Sequence, residues 1–360
     1  MTQVLRRLAM FPALPALLAA LLLSACASVG PHTIPRDRFD YSTAIADSWE
    51  RQMLLNIIRM RYGESPIFMD VASVINQYEL MGQVNASASL KGGLLANDVY
   101  SFGGNGRYTD RPTITYHPLT GKSFTQSLLT PIEPGRLISL TQAGYPVSFV
   151  FQVGLRGING LHNQSSLGLT EETGDPDFFE VLKALGRIQK SRAVGVRLRV
   201  KEDGKQAVMF IKTGDEFKDV KQDIDYVREK LRLSPSEPEY ALVFGLWPQN
   251  ESEIAVLSRS MIEILYQLAA DIDVPAPHLE DGRALRVTNP ETHQRHMHIK
   301  SGSGIPDEAF VAVRHQGYWF WIDETDVISK LALTFMMILF SLAESGTEAQ
   351  APVLTIGAGF

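Results

Sequence analysis

The sequence contains almost no cysteine: Cys26 is the only one among 360 residues. A single thiol cannot form a disulfide within the chain, so the stability of the fold has to come from buried apolar surface. Hydrophobic residues make up 45% of the chain, which is ample material for one large core or two smaller ones. We therefore expect a globular body that depends on its packing.

An excess of basic side chains is also lacking. The chain has 34 Lys and Arg against 40 Asp and Glu, which gives a formal net charge of −6. Nucleic acids and anionic lipid headgroups both select for basic surfaces. We therefore expect no nucleic-acid partner, and we do not expect anionic headgroups to be the main partner.

Recognisable catalytic and cofactor motifs are lacking as well. Neither G-x-S-x-G nor S-x-x-K occurs, and no pair of acids lies in a familiar catalytic setting. The glycine-rich segment 102–106 (FGGNG) lacks the Lys-Ser/Thr ending of a phosphate-binding loop, and it predicts a hairpin connection instead. The sequence thus indicates no catalytic residue and no cofactor, and it favours a protein that is not an enzyme.

The N-terminus has the three parts of a secretory signal. Arg6 and Arg7 supply positive charge, an apolar segment follows, and small residues lead to a cleavage site before Cys26. The alternative is a permanent transmembrane helix, which needs about 20 unbroken apolar residues. Two prolines interrupt this segment. The sequence therefore predicts a signal peptide at residues 1–25.

The segment Leu23-Ser24-Ala25-Cys26 resembles the lipobox of bacterial lipoproteins. The resemblance implies that the thiol of Cys26 is diacylated and that Cys26 becomes the new N-terminus. Acyl chains contribute about 0.8 kcal/mol per buried methylene, so two or three of them anchor a protein permanently. Ala27 is not the aspartate that the resemblance associates with inner-membrane retention. We expect anchoring in the outer membrane facing the periplasm, with surface exposure as the alternative.

The rest of the chain shows the pattern of a mixed fold. Residues 26–40 have little periodicity and predict a short tether. A polar stretch at 162–175 separates two predicted α+β regions, 41–161 and 176–360. Alternating strands with Gly-containing turns and helices with one apolar stripe occur in both regions. The sequence predicts an α+β fold with antiparallel sheets, hairpins and packed amphipathic helices.

Local signals define individual elements within this pattern. A helix is predicted from about Ser42, ending at Gly63, and another is predicted to begin at Ser252. The apolar run Val147–Gly154 suits either a strand or a helix. Residues 331–342 are too few and too rich in Ser and Thr to span a bilayer, so they predict a core helix.

Histidines cluster in one segment, which holds His293, His296 and His298 among the chain's eight. If this segment is a strand, His296 and His298 project from the same face, where two imidazoles can ligate zinc or copper. A third ligand would come from His293, Glu291 or elsewhere. The alternative is a polar, half-exposed strand whose solvated histidines change their charge with pH.

A hairpin is predicted from the strands 309–314 and 318–322, with its turn at Gln316-Gly317. Its second strand begins with Tyr318-Trp319-Phe320-Trp321, which holds two of the four tryptophans. Strand alternation places Trp319 and Trp321 on one face and Tyr318 and Phe320 on the other. Aromatic residues on both faces favour a strand that is covered on both sides. The functional alternative is an interaction surface for a glycan, a peptide or a partner protein. The acidic residues just beyond it, Asp323, Glu324 and Asp326, predict the N-terminal cap of the next helix.

Three segments, 36–80, 111–132 and 310–356 with its GYWFWID core, resemble a family of uncharacterised proteobacterial lipoproteins. The resemblance covers most of the mature chain and implies an envelope location. It implies no activity, substrate or site residue.

Three functional hypotheses follow. The leading one is a non-enzymatic envelope lipoprotein, held to the membrane through lipid on Cys26, that serves as a scaffold or accessory subunit for an envelope protein partner. The second is a protein that binds or hydrolyses peptidoglycan or another glycan through the aromatic hairpin and acids such as Asp323. The third is a histidine-dependent metal binder.

Overall fold

The computed structural model describes residues 34–75, 78–89, 99–165, 172–201, 204–287 and 294–344. The predicted signal peptide, Cys26, Glu291, His293 and the C-terminal residues 345–360 lie outside the described residues. Helices and mostly antiparallel sheets alternate along the chain, so the predicted α+β class is confirmed.

The first helix, α1, covers Ile34–Arg61 and begins earlier than the sequence predicts. Residues 34–40 are helical, so the predicted tether at 26–40 does not extend to residue 40. Pro35 lies in the first turn, where its missing N–H leaves no hydrogen bond unmade, and an acidic residue there complements the helix dipole. The helix ends before Gly63, which has a φ of +70°, as predicted.

The described residues form two compact units, one within the ranges 1–47 and 69–118 and the other within the ranges 48–68 and 119–360. The first unit contains strands β1 to β4, in which β1 pairs with β4 and β2 pairs with β3. Their bounds are β1 Phe68–Ile75, β2 Tyr78–Ser89, β3 Val99–Asp110 and β4 Thr113–Leu119.

The predicted hairpin connection at residues 102–106 is wrong. These residues lie inside β3, where Gly103 pairs with Asn85 and Gly106 with Gly82. Strands β2 and β3 pair antiparallel along their whole length. Glycine weakens a strand because it has no side chain to pack, but the unbroken ladder of backbone hydrogen bonds keeps this segment extended.

The second unit is built on a six-stranded sheet with the order β6-β5-β10-β9-β8-β7. Strands β9 and β10 run parallel, and the other neighbours run antiparallel. The strand bounds are β5 Leu155–Ile158, β6 Leu161–His162, β7 Val194–Lys201, β8 Gly204–Ile211, β9 Glu239–Phe244 and β10 Glu253–Ser258.

This sheet crosses the boundary that the sequence analysis places at 162–175. Strand β5 precedes that stretch, whereas its neighbour β10 follows it, and the two are bonded with Val256 opposite Ile158. Residues 119–161 of the first predicted region therefore share one sheet with the second predicted region, 176–360.

Helices of the second unit pack around this sheet. Their bounds are α2 Lys122–Leu129, α3 Pro134–Gln142, α4 Val147–Gly154, α5 Pro176–Lys190, α6 Lys221–Lys230, α7 Met261–Ala269, α8 Ala276–Glu280 and α9 Val327–Glu344, with a 3₁₀ turn at Asp215–Val220 before α6. The ambiguous run Val147–Gly154 is thus a helix, and Val150 and Phe151 of this helix are buried in the core.

Helix α9 is the core helix that the sequence predicts. Leu333, Phe335 and Met336 are fully buried. Its Phe340 ring stacks on Phe68 with the ring centroids 4.3 Å apart. No helix in the described part of the chain is both long and apolar enough to cross a bilayer.

Helix α7 begins at Ser260 rather than at Ser252. Ser260 accepts a hydrogen bond from the backbone N–H of Glu263, and the Glu263 carboxylate accepts one from the N–H of Ser260, forming a capping box. The predicted start is wrong because residues 253–258 form β10, whose apolar side chains are buried on both faces. An interior strand of this kind has no amphipathic alternation that would separate it from a helix.

A buried cation joins three parts of the second unit. The side chain of Arg259 donates to the carbonyl oxygens of Gln152, at 3.1 Å, and Val153, at 3.0 Å, and also to that of Gln164. Arg259 is 2% exposed, and burial lowers its pKa to about 10, so the guanidinium stays charged at neutral pH. The carbonyl dipoles replace the water that this charge has lost.

The turn between β5 and β6 is held by Asn159, which is buried and has a φ of +44°. Its amide donates to the carbonyl of Leu231 at 2.7 Å and accepts from the N–H of Ala255 at 2.6 Å. Asparagine tolerates the left-handed conformation better than most residues. The side chain therefore sets the turn and ties it to β10 and to the end of α6.

We expect Asn159→Ala to lower the free energy of unfolding by about 2–4 kcal/mol, because two buried backbone groups lose their partner. Urea unfolding followed by circular dichroism measures this. Arg192→Ala is the control, since Arg192 is exposed and also has a positive φ, of 63°. If Asn159→Ala lowers the free energy of unfolding no more than Arg192→Ala does, the effect comes from the positive φ and not from the lost hydrogen bonds.

Candidate functional site

The aromatic segment forms part of a three-stranded antiparallel sheet with the order β11-β13-β12. The strand bounds are β11 Lys300–Gly302, β12 Ala309–His315 and β13 Tyr318–Asp323. Gln316 and Gly317 connect β12 to β13 and both have positive φ, of 44° and 92°. Two-residue turns of this conformation match the twist of a hairpin, and the predicted hairpin is confirmed.

The two faces of β13 differ in burial as the alternation predicts. Phe320 and Ile322 are fully buried in the core, and Tyr318 packs against it. Trp319 and Trp321 lie on the opposite side and are half-buried. We call the side of this sheet that carries Trp319 and Trp321 the outer face. Full coverage of both faces, which the sequence favours, is not observed, because the outer face reaches solvent.

Small and charged residues surround the two indoles on the outer face. Trp319 lies opposite Gly302, and Trp321 lies opposite Lys300 on one side and Ala312 on the other. A Cβ atom on Gly302 would lie 3.2 Å from the Trp321 ring, so the end of this ring covers the glycine. The missing side chain at Gly302 therefore gives the indole its place against the strand.

Asp323 fixes the orientation of Trp321. The indole Nε1–H donates to Oδ1 of Asp323 at 2.8 Å, and the ammonium of Lys300 pairs with Oδ2. The hydrogen bond from Lys300 lowers the pKa of Asp323, and the same bond raises the pKa of Lys300. Of the acids predicted to cap the next helix, Asp326 does so, since it accepts from the N–H of Ser329 at 3.1 Å. Asp323 is instead bound by Lys300 and Trp321.

A second charged group lies beside this one. His298 Nε2 is 2.5 Å from Oδ2 of Asp273, and the guanidinium of Arg295 is 3.0 Å from Oδ1 of the same carboxylate. All three side chains are about half-exposed. Electrostatic interaction with His298 also lowers the pKa of Asp323, by less than the hydrogen bond from Lys300 does. These side chains form a charged rim next to Trp321.

The predicted metal ligands are not brought together. The segment before Lys300 is not a strand, and His296 is buried with its Nδ1 atom 3.5 Å from Oδ2 of the buried Asp271. His298 points instead to Asp273, while His293 lies outside the described residues. Within the described ranges, no group of three His, Cys, Asp or Glu side chains is arranged to hold a metal ion.

The inner side of the hairpin is fastened to the end of α1. The hydroxyl of Tyr62 lies 2.6 Å from Nδ1 of His278, and burial raises the pKa of Tyr62 to about 12. This hydroxyl is therefore protonated, and it shares a hydrogen bond with the imidazole. The Tyr62 ring also contacts His315 edge-on, with the centroids 5.0 Å apart, and His315 Nε2 is 3.3 Å from the Glu64 carboxylate.

No family model, curated protein or solved structure matches this chain.

The arrangement suits recognition better than bond cleavage. Asp323 pairs with Lys300, and a carboxyl whose pKa is lowered is a poor general acid. The outer face instead presents two half-buried indoles with a charged rim, and Trp321 is held in place by Asp323. The sequence predicts these tryptophans, but it gives no signal for Asp273, Lys300 or Gly302, because sheet pairing and a distant loop bring them there.

We expect His315→Gln to reduce the dependence of stability on pH. Burial lowers the pKa of His315 below the ordinary value of 6.5, despite the opposing effect of Glu64. The unfolded chain then binds the proton more readily than the folded protein does. The wild type therefore loses stability as the pH falls below about 6.5, and a tenfold difference in proton affinity between the two states corresponds to about 1.4 kcal/mol.

Urea unfolding of both proteins between pH 8 and 5 measures this difference, since glutamine cannot titrate. The advantage of the wild type over the variant should shrink toward pH 5. A difference that stays constant or grows on acidification would contradict the expected sign.

Proposed function

We propose that this protein is a lipid-anchored envelope lipoprotein that serves as a non-enzymatic accessory subunit. Its outer face would dock onto an envelope protein. The lipobox-like segment ending at Cys26 motivates the anchor, and the presentation of Trp319 and Trp321 carries the docking assignment. The anchor would hold the body at one membrane, facing the periplasm.

The composition of the outer face supports a protein partner. Tryptophan and arginine are enriched at the centres of protein interfaces and supply much of the binding energy there. Arg314, which is exposed, lies opposite Trp319 across the hairpin. Trp321 is held by its bond to Asp323 and by its contact over Gly302, so little side-chain freedom remains to be lost on binding.

The two other hypotheses have less support at this sheet. Hydrolysis of a glycan would need an acid that is free to donate a proton, whereas Asp323 is engaged by Lys300 and Trp321. A histidine site for a metal would need ligands that converge, whereas His296 is buried and His298 is half-exposed beside a different carboxylate.

We expect Cys26→Ala to move the protein out of the membrane fraction and to abolish labelling by radioactive palmitate, because Cys26 is the only thiol in the chain. Fractionation of cells expressing each form measures this. Retention of the variant in membranes at the level of the wild type would refute the anchor.

We expect Trp319→Ala and Trp321→Ala each to reduce capture of a stoichiometric partner by about tenfold or more, as truncation of a central interface residue does. The measurement is mild crosslinking and affinity capture from native membranes. Trp247→Ala is the matched control, because Trp247 belongs to the same unit but lies in the connection between β9 and β10, outside the sheet that carries Trp319 and Trp321.

Thermal unfolding establishes that each variant is folded, and Trp321→Phe keeps a ring while it removes the donor to Asp323. Equal capture by the wild type and both alanine variants would mean that the outer face is not the docking surface.

A further inference from the structure

Trp247 is the most exposed of the four tryptophans, all of which the structure describes. It follows β9, and 65% of its surface is accessible to solvent. Phe244, at the end of the same strand, is 60% exposed. Single exposed apolar side chains are common at protein surfaces, so a role for this one depends on its contacts.

The indole of Trp247 rests on the backbone of Gly160. A Cβ atom at Gly160 would lie 2.3 Å from the Trp247 ring, and Gly160 has a φ of +84°. Only glycine suits this position on both counts. The N–H of Gly160 also donates to the carbonyl of Leu246 at 2.8 Å, which fixes the chain next to the ring. The ring thus has one side against the backbone and the other toward solvent.

The support beneath the ring is rigid. Gly160 follows Asn159, whose buried amide holds the turn to Leu231 and Ala255. The chain between β9 and β10 is a crossover of residues 245–252 that joins two parallel strands. Such connections commonly need a dozen or more residues, so this short one has little freedom.

The remainder of the crossover carries hydrogen-bonding side chains that follow Trp247 closely in the sequence. The Glu253 carboxylate accepts from the backbone N–H of Gln249 at 2.8 Å and from the side chain of Asn250 at 3.2 Å. Asn250 in turn accepts from the N–H of Ser252 at 2.9 Å. Gln249 and Asn250 are both exposed. These bonds hold the backbone of the crossover in place and leave the Gln249 amide exposed.

We propose that Trp247 and its crossover form a saccharide-binding site. A pyranose ring has an apolar face of C–H groups that can stack on the negative face of an indole. Its hydroxyls are both donors and acceptors, which the side chains of Gln249 and Asn250 complement. The site is separate from the outer face and does not depend on the proposed docking function.

The surroundings favour a saccharide over a lipid surface. Glu251 is exposed in the crossover and Glu253 begins the next strand, whereas residues 245–252 contain no Lys or Arg. These two carboxylates disfavour anionic headgroups next to the crossover. The C–H face of a neutral sugar carries no charge and meets no such penalty.

The test is titration of the full-length protein in detergent with chitotetraose and with maltotetraose, followed by calorimetry and tryptophan fluorescence. We expect saturable binding of at least one, weakened about tenfold or more in Trp247→Ala. Tyr116→Ala, a change at an exposed aromatic residue of β4, should bind as the wild type does. Absence of binding to both saccharides, or equal binding by Trp247→Ala, would overturn the proposal.

Two glycine variants test whether the position of the Trp247 ring matters for binding, and not only its presence. Gly160→Ala keeps Trp247 but pushes its ring away, so it should lose binding as Trp247→Ala does. Gly282→Ala is the matched control, since Gly282 has a similar φ of +75° and open space around its Cβ position. Wild-type binding by a folded Gly160→Ala protein would contradict the stacking geometry.

Vesicles of phosphatidylglycerol provide the remaining comparison. We expect the Cys26→Ala form to show no vesicle binding that depends on Trp247. Vesicle binding that is lost in Trp247→Ala, without binding of either saccharide, would assign the site to a membrane surface and overturn the proposal.

Discussion

The buried guanidinium of Arg259 is the interaction on which the second unit depends. A cation that is removed from water has to be compensated within the protein, and here backbone carbonyls at the end of α4 and at Gln164 do so. The backbone of Arg259 also accepts from the N–H of Ile132 and donates to the carbonyl of Gly154. Residues on both sides of the polar stretch 162–175 thereby belong to one hydrogen-bonded centre. Removal of the Arg259 side chain would leave these buried carbonyls without their hydrogen-bond donor.

Elements defined by short-range signals can be predicted from the sequence. The hairpin around Gln316 and Gly317, the alternation of burial along β13 and the core helix near residues 331–342 all follow from local pattern. The division of the chain cannot be predicted in this way, because the pairing of β5 with β10 joins residues nearly a hundred positions apart. The glycines inside β3 lead to the wrong prediction of a hairpin connection for a related reason. Pairing with β2 keeps them extended, and the amino-acid composition does not reveal that pairing.

The same contrast between local signals and distant pairing applies to the candidate site. Trp319 and Trp321 are evident from the sequence, whereas the residues that orient them come from other strands and loops. Asp273 and Lys300 reach the outer face because β11 pairs with β13 and because the chain returns after α7. The histidines show the opposite error. They are close in sequence, but the segment is not a strand, so one is buried and the other lies at the surface.

The short crossover between β9 and β10 makes the position of Trp247 a property of the whole sheet. Strands β9 and β10 run parallel, so the chain has to reverse its direction within residues 245–252. Strand β10 also pairs with β5, and the turn that follows β5 contains Gly160, on which the indole lies. The observed position of the ring therefore requires segments that are far apart in the sequence. A substitution that disturbs either pairing of β10 would displace Trp247 without touching it.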